Sequence, residues 1–139
     1  MQPYRHTVQY YETDKMGVVH HSNYIRWMEE ARVDFLRQIG WELSRLEALG
    51  VGSPVTALEC RFRRPAVFAE DIFITVCVRQ FGGVRIQLGY TMLNSAGETV
   101  CEAQSEHCFL HTDGSLVRLQ RELPEFSSVL KELAEAARP

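Results

Sequence analysis

Between residues 10 and 24 the chain reads Tyr-Tyr-Glu-Thr-Asp-Lys-Met-Gly-Val-Val-His-His-Ser-Asn-Tyr, a dense run of groups able to do chemistry. The Asp14 carboxylate can take a proton from water or attack a carbonyl carbon directly. Gly17 permits backbone conformations that let a ligand approach the main chain. His21 to Tyr24 open an apolar-periodic segment, and the free N–H groups and positive dipole end of a helix start favour an anionic oxygen. A carboxylate beside such donors is the minimum equipment for attack on an activated carbonyl, because the donors hold the developing oxyanion. By spacing alone, Asp14 reads first as a turn or cap aspartate. His20 and His21 are adjacent, so at a helix start their side chains are expected to diverge, with at most one facing a site.

The elements that position this junction follow from periodicity. Residues 4–12 read as a strand. From Asn23 to Ile39 the apolar residues Tyr24, Trp27, Met28, Ala31, Phe35, Leu36 and Ile39 step by three and four, the spacing of a helix. Ser22 is its expected N-cap and Gly40 its stop. A shorter helix is expected over Glu42–Leu49. From Val55 the period becomes two, with Thr56, Leu58, Cys60 and Phe62 alternating with Ala57, Glu59, Arg61 and Arg63. Strands follow at 71–81, 84–93 and 98–111, separated by Gly82-Gly83 and Asn94-Ser95-Ala96-Gly97. A final helix begins at Pro124. This order predicts one α+β domain over residues 1–139, a five-stranded antiparallel sheet with its helices on one face. Such a sheet keeps uncovered edges, which a second copy of the chain commonly covers. A homo-oligomer, at least a dimer, is expected.

Composition narrows the function classes. The 139 residues are 45% hydrophobic and 24% charged, ordinary for a globular protein with one core. A net charge of −3 gives no basic field for nucleic acid. No run approaches 18 apolar residues, so membrane insertion is not expected, and the N-terminus lacks a signal-peptide core. The cytoplasm is the expected location. Cys60, Cys77, Cys101 and Cys108 form no C-x-x-C pair and read as small buried apolar residues rather than a zinc site or disulfide framework. His107 and His111, on one strand, would stand roughly 13 Å apart, too far to share a metal.

Taken whole, residues 10–24, continuing through Arg26, Trp27, Glu30, Ala31 and Arg32, closely resemble the opening signature of hot-dog-fold acyl-CoA thioesterases. The nearest likeness is to the 4-hydroxybenzoyl-CoA thioesterase family, including the short acyl-CoA thioesterases of the bacterial Tol–Pal cluster. A weaker echo follows at Phe62-Arg63-Arg64-Pro65-Ala66 and Asp71. The resemblance implies a hot-dog fold, a curved sheet wrapped around a long central helix, with active sites at a dimer interface. It implies that Asp14 is the catalytic carboxylate, as nucleophile or general base, and that the backbone amide around His21 is the oxyanion donor. Of the two histidines, His21 matches the motif position. Met16, Gly17, Val18, Val19 and Tyr24 would line the acyl or pantetheine channel. No metal or separate cofactor is implied, since coenzyme A is part of the substrate.

Arg63 and Arg64, with Arg61 and Arg85, could grip the phosphates of coenzyme A through the planar guanidinium fork, or could simply face solvent. His20 and Met16 stand where relatives vary, which leaves the acyl group open. The assembly expected is a homodimer or a tetramer built from dimers. Two other activities share this fold: a non-catalytic acyl-CoA or acyl-carrier-protein binder, and a dehydratase, whose histidine–carboxylate motif differs from the one here.

Overall fold

A computed structural model describes residues 1–138. In chain order its elements are β1 (Tyr4–Thr7), α1 (Ser22–Gln38), α2 (Leu43–Ala48), β2 (Val51–Gly52), β3 (Val55–Phe62), β4 (Asp71–Phe81), β5 (Arg85–Leu93), β6 (Thr99–Cys108), β7 (Leu110–His111), α3 (Leu119–Glu122) and α4 (Pro124–Ala136). Five strands form one sheet in the order β1-β4-β5-β6-β3, while β2 and β7 pair separately. β1 runs antiparallel to β4, with Tyr4 opposite Ile74 and Thr7 opposite Asp71. The α+β class read from the periodicity is the one observed.

The backbone gathers into two compact units. One holds Met1–Phe35, Cys60–Val76 and Tyr90–Ala103; the other holds Leu36–Glu59, Cys77–Gly89 and the chain from Gln104 onward. In the first, Tyr24, Trp27, Met28 and Ala31 form the buried stripe of α1, and Ile72, Ile74, Tyr90 and Met92 are buried on the strands. In the second, Trp41 stacks on Phe126 at 4.9 Å and Phe126 meets Phe109 edge-on at 5.9 Å. The Arg45 guanidinium lies 3.6 Å over the Trp41 ring, a cation–π contact that keeps the charge in solvent while covering the indole. Each large apolar side chain removed from water in these cores contributes about 1.5–3 kcal/mol.

Alternation holds on β4 and β5, where Ile72, Ile74, Val78, Ile86, Leu88, Tyr90 and Met92 are buried. It does not show as burial on β3. That strand is the edge of the sheet, and Leu58 and Phe62 remain 43% and 51% exposed.

Four expectations change. The first strand ends at Thr7, and Tyr10–Glu12 is a single 3₁₀ turn. The cause is local: Glu12 N–H donates to Gln9 O at 3.0 Å, and the Gln9 N–H donates to the Glu12 carboxylate at 2.8 Å. Ser22 does not cap α1 but is its first residue; the capping acceptor is His20 Nδ1, which takes the Ser22 N–H at 3.2 Å. The last strand breaks after Cys108, so His107 and His111 lie on different strands. None of the four cysteines is in a disulfide, but only Cys101 is buried: Cys60 and Cys108 are half-buried and Cys77 is exposed. Cys77 falls between Val76 and Val78, at the opposite parity of β4 from buried Val78.

Candidate active site

Asp14 stands at the tip of a small hairpin inside the first unit. Thr13 and Val19 bridge antiparallel, and Asp14 N–H donates to Val18 O at 2.8 Å. Gly17 N–H donates to Asp14 O at 3.0 Å and closes a turn over residues 14–17. Gly17 has φ +78°, the left-handed conformation that a three-residue hairpin loop with a glycine bulge requires. The Asp14 carboxylate accepts the Met16 N–H on Oδ1 at 2.8 Å. Its Oδ2 has no partner among the described residues. Asp14 is thus a turn aspartate, with one oxygen fixing the carboxylate and the other facing solvent.

The returning arm leads into α1. Val19 N–H donates to Ala66 O at 2.8 Å, and Val18 bridges Val67. His20 N–H donates to Glu12 O at 2.9 Å. The first turn of α1 closes one residue later, with Asn23 N–H on His20 O at 3.0 Å and Tyr24 N–H on His21 O at 3.2 Å. The His21 amide thus sits where the positive end of the helix dipole falls. The two histidine rings do not diverge; they stack with centroids 4.2 Å apart. His20 is held along the chain by Ser22, whose hydroxyl is 2.9 Å from Nδ1, and the His21 ring lies over it.

The remaining candidates separate by exposure. Met16 is 84% exposed on the turn, and Gly17 is also open to solvent. Val18 is half-buried, while Val19 and Tyr24 are buried behind the hairpin. Tyr24 packs edge-on to Phe62 at 5.0 Å and tilts over Trp27 at 4.7 Å. Burial, and then the neighbouring Cys101 thiol, push its phenol up to about 12 against an opposing hydrogen bond from the Ala66 backbone. It is neutral and serves no base chemistry near neutral pH. Arg63 and Arg64 lie just past β3, and both N–H groups converge on Val100 O, at 2.9 and 3.3 Å. Their guanidinium groups pair with Glu102 at 3.3 Å and Glu98 at 3.2 Å.

Sequence reasoning missed Glu12. Its side chain is buried at 4% exposure yet accepts three hydrogen bonds. Oε1 takes the Gln9 N–H and His6 Nε2, each at 2.8 Å, and Oε2 takes the Trp27 indole N–H at 2.7 Å. Burial acts to raise its pKa, but the hydrogen bonds from Gln9, His6 and Trp27 outweigh it and hold the carboxyl below the usual glutamate range. The charged form is the native one. The only sequence signal was the coexistence of a histidine, a glutamate and a tryptophan with no shared period.

With this geometry in place, comparison with known proteins is informative. The family model described as the thioesterase-like superfamily matches residues 8–135. A relative from Bacillus subtilis, named "Putative acyl-CoA thioesterase YneP", is 35% identical over 100 residues, 72% of each chain. The 1,4-dihydroxy-2-naphthoyl-CoA hydrolase of Thermosynechococcus vestitus is 32% identical over 111 residues, 79% of this chain and 76% of its own. A solved DHNA-CoA thioesterase from Staphylococcus aureus superposes with a TM-score of 0.91 at 27% identity, over 99% of this chain and 95% of that one. The chain belongs to the thioesterase-like superfamily and is a hot-dog-fold acyl-CoA thioesterase, an enzyme that hydrolyses thioesters.

Proposed function

We propose that the Asp14 hairpin and the start of α1 form the hydrolytic site, with Asp14 as nucleophile or general base and the His21 amide as oxyanion donor. The observation that carries this is the half-anchored carboxylate, Oδ1 tied to Met16 N–H and Oδ2 open, on a hairpin whose other arm becomes the helix start. As a base, Asp14 takes a proton from water while the hydroxide oxygen bonds to the acyl carbon. As a nucleophile, Oδ2 bonds to that carbon, the C–S bond breaks, and water later hydrolyses the anhydride. In both routes coenzyme A leaves as a thiolate that takes up a proton, and the negative carbonyl oxygen of the tetrahedral intermediate rests on the helix-start donors.

Coenzyme A carries the acyl group and supplies phosphates for cations to hold. Arg63 and Arg64 are each paired with a glutamate, so a phosphate there must displace a carboxylate. In the second unit, Arg118 and Arg121 line a cavity of about 440 Å³ with Gly82, Gly83, Val84 and Gln120, and offer a further cationic surface. The exposed rings of Tyr10 and Phe68, 5.6 Å apart edge to face, favour an aromatic acyl group, as do the relatives named for a naphthoyl thioester. Edge strand β3, with Leu58 and Phe62 uncovered, is the surface on which a second copy would pair to make a homodimer. We assign the enzyme to the cytoplasm, where cysteines outside disulfides stay reduced.

The test is Asp14→Asn, assayed by free-thiol release from a panel of aromatic and aliphatic acyl-CoA thioesters. Turnover is expected to fall about 10²–10⁴-fold, with unchanged circular dichroism. Near-normal turnover on every thioester that the wild type hydrolyses would refute the assignment. Hydroxylamine trapping then separates the routes, because only the nucleophilic one forms an acyl-enzyme.

A further inference from the structure

Glu12 is the only buried carboxylate among the described residues, and its hydrogen bonds run to β1, to the 3₁₀ turn and to the start of α1, three of the segments that frame the Asp14 hairpin. Its side chain holds His6 of β1, the Gln9 amide at the start of the 3₁₀ turn, and Trp27 in the second turn of α1. Its main-chain oxygen accepts the His20 N–H at 2.9 Å and Asn23 Nδ2 at 2.9 Å. Asp14 lies two residues beyond Glu12 on one arm, and His21 lies one residue beyond His20 on the other. The Glu12–His20 rung is therefore the crosslink at the base of the hairpin, below the Thr13–Val19 and Asp14–Val18 rungs, where the arm of Asp14 meets the start of α1.

Two of the three partners of the Glu12 carboxylate, the Gln9 N–H and the Trp27 indole N–H, can only donate, and His6 has a second contact, Nδ1 to Glu30 Oε2 at 3.2 Å. The imidazole faces a carboxylate oxygen at each nitrogen. The same ring lies 4.7 Å from Trp27. An amide in place of the Glu12 carboxylate would point its NH₂ either at the Trp27 N–H or at the oxygen site shared by the Gln9 N–H and His6, and so at a group that can only donate, leaving the buried site mismatched.

We propose that Glu12 is a positioning residue for hydrolysis: its buried carboxylate, braced by His6 and Trp27, sets the distance between the Asp14 carboxylate and the His21 amide. This rests on the reading of Asp14 and the helix start given above. Displacements of about 1 Å at a reacting geometry can cost on the order of 10²-fold in rate, so the effect of loosening the clamp should be visible in turnover.

The experiment compares Glu12→Gln, Asn23→Ala and Asp14→Asn in the full chain. Coenzyme A binding by calorimetry counts binding-competent sites, and thiol release gives kcat per competent site. Amide hydrogen exchange reads the His20 N–H. Glu12→Gln is expected to lower kcat per site about 10–100-fold with KM within about threefold, and to speed exchange at residues 18–21 more than across the rest of the chain. Asn23→Ala removes one brace on the Glu12 carbonyl without touching the buried charge; about a 3–10-fold loss of kcat per site is expected, so the idea stays testable if Glu12→Gln does not fold. Wild-type kcat per site in either folded variant, beside an inactive Asp14→Asn, would overturn the positioning role alone. A fully active Asp14→Asn would instead overturn the reading on which it rests. Uniformly faster exchange with unchanged kcat per site would mark Glu12 as a purely structural residue.

Discussion

Gly17→Ala separates backbone strain from side-chain contact at the hairpin that carries Asp14. Gly17 sits at φ +78°, and a Cβ built there meets no atom within 4 Å. Any cost is therefore conformational. Forcing an L-residue with a Cβ into the left-handed region costs about 1–2 kcal/mol, and the stiffer unfolded chain returns about 0.4–1 kcal/mol. The net expectation is about 1 kcal/mol of lost stability, or about 3–5 °C in Tm for a domain of this size. Gly82 supplies the internal control: it too has open space around its Cβ position, but its φ is not positive. Gly82→Ala should be neutral or stabilising by up to about 1 kcal/mol. Urea denaturation of the two variants, with kcat measured on each, makes the comparison. If the chain instead reshapes the turn to relieve strain, the Asp14–Val18 and Met16–Asp14 bonds break and kcat falls while stability recovers. Wild-type stability together with wild-type turnover in Gly17→Ala would refute the argument.

Three further outcomes follow from the structure. Because the folded pKa of Glu12 is depressed, its stabilising contribution is fully present above about pH 4.3, the ordinary glutamate value, and is lost as pH falls through the lowered one. Urea unfolding at successive acidic pH values should therefore show a shallower acid limb in Glu12→Gln than in wild type; parallel limbs would contradict this. His107, 1% exposed, lies with Nδ1 donating to Ser53 O at 3.0 Å and Nε2 hydrogen-bonded to the Ser105 hydroxyl at 2.8 Å. His107→Ala should destabilise by about 2–4 kcal/mol in the same assay, and a loss below about 1 kcal/mol would show that the buried bonds contribute little. If a second copy pairs on β3 as proposed, Leu58→Lys on that exposed edge strand should lower the mass read by light scattering to that of one chain, and an unchanged mass would exclude β3 as the interface.

Much of the scaffold was legible because burial writes itself as a period. Tyr24, Trp27, Met28, Ala31 and Phe35 announced α1 to within a residue, and the even positions of β4 and β5 announced their buried face. What escaped was governed by polar bonds between residues that share no period. Tyr10, Tyr11 and Glu12 continue the alternation of a strand, but the mutual bonds of Gln9 and Glu12 wind them into a 3₁₀ turn. The buried charge of Glu12 depends on His6 and Trp27, six residues before it and fifteen after. Ser22 has the composition of a cap, yet a histidine ring performs that task, and that ring also stacks on His21. Asp14, Gly17 and the helix start were readable as a unit because turn chemistry is local. Arg63 and Arg64 were readable as charges but not as ion pairs, since Glu98 and Glu102 arrive from a distant strand and the turn before it.

The chain has two tryptophans, and the fold gives one to each compact unit. Trp27 is fully buried against a carboxylate and an imidazole, whereas Trp41 lies between a phenyl ring and a guanidinium. Their emission should differ in both quenching and polarity. Trp27→Phe and Trp41→Phe would each leave a single tryptophan, so one enzyme carries separate optical reporters for the half that holds the Asp14 hairpin and for the half that does not. Coincident unfolding curves would make the two units one cooperative body, and separated curves would show that the half holding the Asp14 hairpin can open on its own.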